Sequence, residues 1–418
     1  MRAHTLIIGG GVMGLSIAAH VAARLDPLSE PLVLLERRRI GAGSSGRSGA
    51  VLRTFYSSRE LIGMARDSLR EYAAFQTRSG REVGFTRCGV LTIAGQPAQI
   101  ELARRNFAAM LECGVDAQLL DAREMRSLVA GIEVGEHACG VWEPDGGYVD
   151  PQRTLEAFAA LARARGATIR ENAEVVRIQC DGPRIVRVSA EDEVYDVERV
   201  VFAAGPWSQR VLGLCGVQLP LRVVRPEQHF VRAPVVRRLV TDEQAPAHET
   251  DGLDARFAPR REPPAAHPVL LDLERGYYTR CEPVLERTRV GALDYSRDAR
   301  LEHADALEEQ VSDEFRRWAR EQLVSRLPRY REQPDHGAQA AWYTLTPDAQ
   351  ALIGPCPGID NAYVACGFSG HGFKLAPSIG AGLQQMLCGE PVAAFDPQFF
   401  APTRFGASPA VWSGAFGL

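Results

Sequence analysis

Three glycines and one acidic residue near the start of the chain have the types and spacing to hold a dinucleotide. Gly9, Gly11 and Gly14 stand in GGGVMG directly after the apolar run Leu6, Ile7 and Ile8, and Glu36 closes a second apolar run, residues 32–35. The pattern predicts strand, tight turn, helix and strand, with the acid about twenty residues beyond the glycines, the context a dinucleotide fingerprint needs. Gly9 permits the turn, Gly11 lets backbone approach a pyrophosphate, and Gly14 lets the helix lie close on the strand. The helix N-terminus offers N–H groups and a positive dipole end to the phosphates, and Glu36 is suited to accept hydrogen bonds from the adenosine ribose.

The segment beyond Glu36 favours flavin over nicotinamide. The stretch 41–49, GAGSSGRSG, is too rich in small residues for a helix or a packed strand and reads as a loop on which a large flat ligand can lie. The cluster Arg37, Arg38 and Arg39 reads as a solvated turn after the second strand. Near the other end, a strand over 362–365 leads into Gly367-Phe368-Ser369-Gly370-His371-Gly372-Phe373-Lys374 and a helix over 376–387. Strand, glycine-rich turn and helix N-terminus again make an anion site, suited to negative charge on the N1 and C2 side of a reduced flavin ring. GFSGH lacks the closing glycine of GxSxG, so Ser369 is not read as a nucleophile.

The remaining elements must position these segments. With 418 residues, 45% hydrophobic and 24% charged, the chain has room for two domains with their own cores. A net charge of −4 argues against nucleic acid as a partner. Nine scattered cysteines without CxxC or a Cys/His cluster read as thiols of a reducing compartment, not as a zinc site. Residues 6–23 are apolar and as long as a membrane span, but the glycine turn interrupts them. Five residues before the first strand leave no room for a targeting sequence, so a cytoplasmic protein without a membrane span is expected.

Helical spacing is found over 59–77 and 98–111, and a third helix, capped by Asp150 with Pro151 at its first position, runs to about Arg165. Residues 83–94 predict paired strands turning on Gly89. Short strands over 168–170, 175–179, 185–189, 194–196 and 200–203 predict a return to the nucleotide sheet, with Ala204, Gly205 and Trp207 where its edge passes under the ligand. Strands over 225–231, 269–272, 277–281 and 289–294 and a helix over 304–323 predict a substrate domain. Residues 244–268, without period, predict a long insertion loop, disordered and the place for specificity of its own. The expected fold class is α/β, a Rossmann-like part and a part with a mixed β-sheet and flanking helices.

From one end to the other, GGGVMG with Glu36, GAGSSGRSGAVLR, GGYVDP, VVFAAGPWS, YTLTPD and GFSGHGFKLAP make the chain resemble the D-amino-acid oxidase superfamily of FAD oxidoreductases. Within it, GFSGHGFK is close to diagnostic of the sarcosine oxidase, dimethylglycine dehydrogenase and glycine oxidase branch. The resemblance implies that the Rossmann-like part is a discontinuous FAD-binding domain (1–82, 145–219 and 335–418) and the other a substrate domain (83–144 and 220–334). It implies too that Arg53 and Lys374 hold a substrate carboxylate, with Tyr343 beside it and Arg289 where the branch keeps a lysine near flavin N5. It assigns to the cofactor Val12, Met13, Arg37, Ser44, Ser45, Gly46, Arg47, Ser48, Gly49, Val175, Gly354, Gly370, His371, Gly372 and Phe373, beside the glycines, Glu36, Ala204, Gly205, Trp207 and Lys374. Ala341 stands where sarcosine oxidases carry a flavin-linking cysteine, and the loop after Glu36 lacks the linking histidine, so FAD is expected to be noncovalent. Leu293 replaces a branch histidine, which argues against an N-methyl glycine substrate.

The implied activity is oxidation of the C–N bond of an amino acid or secondary amino acid by hydride transfer to flavin N5. The imine then hydrolyses, and O2 or another acceptor takes the electrons. Oxidation of a 2-hydroxy acid is the rival, needing a base for which His371 and His229 are the candidates. A flavoprotein with a binding or assembly role is a further alternative, and a nicotinamide dehydrogenase the weakest.

Overall fold

Strand Arg2–Ile8 is buried from Ala3 onward and ends in the apolar run Leu6, Ile7 and Ile8 because it has a neighbouring strand on each side. It pairs in parallel with Leu32–Leu35 and with Glu193–Phe202. The sheet extends through Thr168–Arg170 on one side and Ala362–Cys366 and Leu352–Pro355 on the other. Val175–Asp181 and Arg184–Ala190 are the expected excursion: Arg184–Ala190 pairs antiparallel with Glu193–Phe202 on one side and with Val175–Asp181 on the other. The computed structural model describes residues 1–191, 193–234, 267–406 and 412. Of the insertion expected over 244–268, all but His267 and Pro268 lies outside the described residues.

Helix Val12–Ala22 lies against helix Gly372–Leu387, and the two approach closely because Gly380 has no side chain: a Cβ there would sit 2.4 Å from Ser16 Oγ. The second helix contains Pro377, which cannot donate to the carbonyl four residues back. That carbonyl, Phe373 O, instead accepts from Tyr72 Oη at 2.7 Å, and Ser378 N–H donates to Ser68 Oγ at 3.2 Å. Helix Arg59–Ser79, which carries Tyr72 and Ser68, thus splints the turn that bears Lys374.

The second large sheet runs Asp335–Ala340, Glu227–Arg232, Arg287–Ala292, Tyr277–Glu282, Val269–Asp272, Val90–Ala94, Cys139–Glu143 and Gln118–Leu120. Its pairing is antiparallel except between Val269–Asp272 and Val90–Ala94. Arg222–Arg225, Ala299–Leu301 and Tyr343–Leu345 form a small antiparallel sheet, and Val51–Leu52 pairs with Gly147–Tyr148. Asp335–Ala340, counted from sequence with the cofactor part, belongs to the second sheet, where it pairs with Glu227–Arg232.

Two local expectations are corrected. Residues 83–94 do not fold back on themselves at Gly89: Val90–Ala94 is an inner strand, and Thr86 bridges to Tyr148. A side chain at Gly89 would collide with the Trp142 ring. The helix expected over 304–323 is a 3₁₀ turn at Ala304–Ala306 and a helix at Asp313–Arg326. Its start is set by Ser312, whose Oγ accepts from Phe315 N–H at 3.2 Å and donates to Glu227 at 2.9 Å.

Candidate functional site

The C-terminal ends of the first sheet and a face of the second enclose a cleft running from Glu36 to Arg53 and Lys374, with an empty volume of about 1910 Å³ including the part open to solvent. At the Glu36 end the glycines do different work. Gly9 has φ +118°, and a Cβ there would lie 2.3 Å from Ala203 O. A Cβ on Gly14 would lie 1.9 Å from Gly9 O, so helix and strand touch. Gly11 lines the cleft, and its added Cβ would meet Ser45 Oγ at 3.1 Å and nothing else within 4 Å. Glu36 accepts from Gly10 N–H at 2.7 Å and Arg38 N–H at 2.9 Å, which fixes its carboxylate at the mouth with acceptor capacity left over. A bare helix start at Gly11, backbone that a ligand can approach and a held acid fit the pyrophosphate and ribose of a dinucleotide.

Most of the expected cofactor residues line this one cleft: Gly9, Gly11, Val12, Met13, Glu36, Arg37, Ser44, Ser45, Arg47, Ser48, Gly49, Val175, Ala204, Gly205, Trp207, Gly370, Gly372, Phe373 and Lys374. Five expected residues do not line it. Gly14 is packed under Gly9, and a side chain on Gly46 would strike Gly41 O at 2.3 Å. Gly354 sits on the far edge strand, 3.5 Å from Pro402 at its would-be Cβ. His371 faces Tyr56, whose hydroxyl lies 3.2 Å from its Nδ1.

Arg289, the fifth, is turned beneath the glycine-rich loop. Its Nε donates to Glu282 Oε1 at 2.9 Å, and its Nη1 donates to Gln228 Oε1 and, at 3.2 Å, to Arg47 O. Arg287 and Arg280 also face Glu282, at 2.8 and 3.5 Å. Burial raises the Glu282 pKa, but Arg289, Arg280 and Arg287 together outweigh it and hold the group at about 2.

Arg37 is not a simple solvated residue. Its guanidinium lies 4.5 Å over the Trp207 ring and pairs with Asp305 at 2.8 Å. Asp305 also accepts from Trp207 Nε1 at 2.9 Å and pairs with Arg210 at 3.3 Å, while Arg47 pairs with Glu309. The segment 304–310 is therefore a strap tied across the cleft to arginines that line it. Hydrogen bonding from Arg37 is the chief cause that draws the Asp305 carboxyl down to about 2. Asp305→Asn should release FAD about threefold to tenfold faster on dilution, since these half-exposed pairs are worth ~0.2–1 kcal/mol each. Recovery of flavin fluorescence measures the rate, and an unchanged rate at low and high salt would remove the strap's role.

At the other end Arg53 and Lys374 are 2% and 7% exposed. Arg53 Cζ stands 4.3 Å and Lys374 Nζ 6.0 Å from the centre of the same Tyr56 ring. Arg53 Nη1 donates to Phe55 O, and among the described residues its Nη2 has no partner. Burial, then Arg53, pulls Lys374 well below its ordinary pKa, with Glu143 opposing. The walls here are Val269, Leu271, Tyr278, Leu293 and Tyr343. Burial pushes the Tyr343 hydroxyl well up, so it stays neutral. His229 does not line the cleft and is bonded through Nε2 to Asp335 at 3.1 Å. Ser369 is absorbed structurally: its O accepts from Tyr295 Oη at 2.6 Å, and its Oγ accepts from Thr346 N–H at 3.3 Å. Sequence reasoning missed Tyr56, Glu143, Gln228 and Tyr278. The Tyr56 spacing three residues beyond Arg53 was a usable sign, whereas the others come from the second sheet and carried none.

Comparison with known proteins bears on this geometry. Residues 4–386 match the model of the family described as FAD dependent oxidoreductase. The chain is 26% identical over 411 residues to the 4-methylaminobutanoate oxidase (formaldehyde-forming) of Paenarthrobacter nicotinovorans, covering 96% of this chain and 45% of that protein. It thus spans about half the length of several curated relatives it matches, but 95% of the peroxisomal sarcosine oxidase of Mus musculus, to which it is 25% identical over 96% of its own length. Among solved structures it is similar to L-proline dehydrogenase from P. horikoshii, with TM-score 0.81, 21% identity and coverage of 97% and 98% of the two chains. It is also similar to glycine oxidase from Geobacillus kaustophilus, with TM-score 0.78, 21% identity and coverage of 96% and 99%. Among the described residues no helix is long and apolar enough to cross a membrane, and no cluster of His, Cys, Asp and Glu is arranged to hold a metal.

Proposed function

The chain belongs to the FAD dependent oxidoreductase family, and from that premise we propose that it oxidises the C–N bond of an amino acid or N-alkyl amino acid, with FAD bound noncovalently. The carrying observation is the pair of buried cations, Arg53 and Lys374, set over one aromatic ring at the end of the cleft. Such a pair has a carboxylate as its natural ligand, held by charge-assisted hydrogen bonds from Arg53 Nη2 and Lys374 Nζ. When bound, FAD supplies the acceptor for the hydride leaving the carbon that carries nitrogen.

The chain's own residues orient and desolvate the substrate. Arg53 and Lys374 fix its acid group and so aim the C–H bond, while Val269, Leu271, Tyr278, Leu293 and Tyr343 exclude water. The acids that line the cleft among the described residues, Glu36 and Glu174, sit at its other end, so no lining carboxylate pairs with a substrate ammonium beside the clamp. Two cations close by favour the neutral amine, the form that can release hydride. A hydroxy acid would need a base, and neither His371 nor His229 lines the cleft. The residue standing at 341 is alanine, and the described lining contains no cysteine or histidine, which supports noncovalent attachment.

The reading divides the chain into a cofactor part, 1–82 and 145–219 with a C-terminal stretch starting after Ala340, and a substrate part built on the second sheet. It places the protein in the cytoplasm, a reading supported by nine free thiols. O2 or another acceptor regenerates the cofactor. Relatives named for methylaminobutanoate and sarcosine support the substrate class.

The test is anaerobic mixing of the yellow holoprotein with D-, L- and N-alkyl amino acids and 2-hydroxy acids while following flavin absorbance, then admission of air. Bleaching by an amine is expected, and the speed of colour return separates oxidase from dehydrogenase. Bleaching by hydroxy acids alone, or by nothing in the panel, overturns the proposal.

A further inference from the structure

We propose that Glu143 is a positioning residue that sets the charge state of the carboxylate clamp, acting from behind the cleft through Thr54, Arg53 and Lys374. The inference rests on the reading of Arg53 and Lys374 as that clamp. Glu143 ends strand Cys139–Glu143 of the second sheet and is 2% exposed. Its Oε2 accepts both the N–H and the Oγ1–H of Thr54, the residue after Arg53, so one carboxylate oxygen ties the Arg53 segment to the opposite sheet. Oε1 has no hydrogen-bond partner among the described residues. As a brace alone this is a costly choice, because a buried carboxylate is unfavourable unless cations and hydrogen bonds offset it.

The offsetting cations are the clamp itself. The charged and titratable groups acting on Glu143 are Arg53, Lys374 and Tyr56, and those acting on Lys374 are Arg53, Glu143 and Tyr56, with His371 reached through the Tyr56 hydroxyl. Burial pushes the Tyr56 hydroxyl up to about 12, so it remains neutral through the useful range. Burial raises the Glu143 carboxyl, and the Thr54 hydrogen bonds, then Arg53 and the Phe55 backbone N–H, draw it back. Lys374 is pulled down by burial and then by Arg53, and Glu143 is the group that opposes them. Because Glu143 does not line the cleft, it supplies this negative charge without competing for the substrate's place.

The sign is fixed. Lys374 is cationic below its pKa, so affinity for a carboxylate falls as pH rises through that value. Removing the Glu143 charge lowers the Lys374 pKa further and moves the fall to lower pH.

The experiment titrates FAD-loaded protein with propionate across pH, read by perturbation of the flavin spectrum. Glu143→Gln keeps an acceptor for Thr54 but no charge. It is expected to shift the alkaline fall in affinity down by about one pH unit or more, the size of one lost charge interaction, with KM for substrate raised and kcat little changed. Glu143→Asp draws the charge back by one methylene and is expected to move the fall in the same direction by a smaller step, deciding the matter if the Gln variant does not load FAD. A uniform loss of affinity with the fall left in place, in whichever variant loads FAD, overturns the proposal. Lys374→Met and Arg53→Met serve as controls: propionate binding that survives both removes the clamp reading itself, whereas binding lost in both with no shift at Glu143 removes this inference alone.

Discussion

Arg53→Met should lower kcat/KM for every carboxylate-bearing amine by about 10²–10³-fold, the loss expected when one partner of a buried, hydrogen-bonded charge pair is removed at ~2–5 kcal/mol, while FAD occupancy stays at the wild-type level. The separation is a consequence of the geometry. Arg53 lies at the end of the cleft away from the glycine turn and Glu36, and among the described residues its Nη2 is a buried donor without a protein partner, which the proposed clamp would use. Methionine fills much of the same volume, and the structural debt is Phe55 O, which loses the donor from Nη1 at a cost of about 1–3 kcal/mol. Arg53→Lys should recover little, because an ammonium cannot hold Phe55 O and a carboxylate in the same fork. Lys374→Met is expected to cost less than Arg53→Met at high pH, where the depressed lysine is already neutral, and to approach it at low pH. Steady-state kinetics on the best amine from the anaerobic panel measures all three. An Arg53→Met enzyme with unaltered kcat/KM would remove the carboxylate clamp from the mechanism.

The nucleotide end of this site was legible in the sequence because everything that defines it is local. Strand, glycine turn, helix and acid lie within one stretch, and parallel pairing on both sides of Arg2–Ile8 demands the continuous apolar run that marks it. That Arg53 and Lys374 come together over one ring was expected only through whole-chain resemblance, since they come from opposite ends of the chain and neither has a local signature. Glu143 was not legible at all. Its meaning depends on Thr54, which reaches it from beside the paired strands Val51–Leu52 and Gly147–Tyr148.

Arg289 marks the limit differently: its strand was expected, but which carboxylate claims its side chain depends on pairing in the sheet. Arg289 lies opposite Arg280, while Glu282 lies opposite Arg287, and the one acid gathers all three guanidiniums. Likewise the helical reading of 304–323 failed where acidic residues had better partners than solvent. Asp305 and Glu309 reach arginines of the cofactor cleft, and the helix waits for Ser312 to cap it.

Gly11→Ala and Gly14→Ala should separate two functions of the same turn that the GxGxxG pattern cannot distinguish. At Gly11 the backbone has φ −80°, which alanine adopts freely, and the new methyl group would face the cleft with Ser45 Oγ its nearest neighbour at 3.1 Å. The apoprotein should therefore melt close to the wild type, with a cost of at most about 1 kcal/mol of crowding. FAD affinity should fall by about 10²-fold or more, since the methyl group occupies the space through which backbone N–H groups approach a phosphate.

At Gly14 the methyl group would lie 1.9 Å from Gly9 O and 3.1 Å from Gly9 C, so the close contact is with backbone, which has no side-chain freedom to yield. Helix Val12–Ala22 would have to lift off the strand, and it is also packed on the helix that bears Lys374. Overpacking of this kind costs about 1–3 kcal/mol or more, so Gly14→Ala should lower the apoprotein melting temperature as well as cofactor affinity. Apoprotein melting and FAD titration of both variants form the check. If Gly11→Ala binds FAD as the wild type does, no phosphate approaches that backbone and the fingerprint reading of the turn falls. If Gly14→Ala loses FAD without losing stability, the close contact of helix and strand is not what that glycine protects.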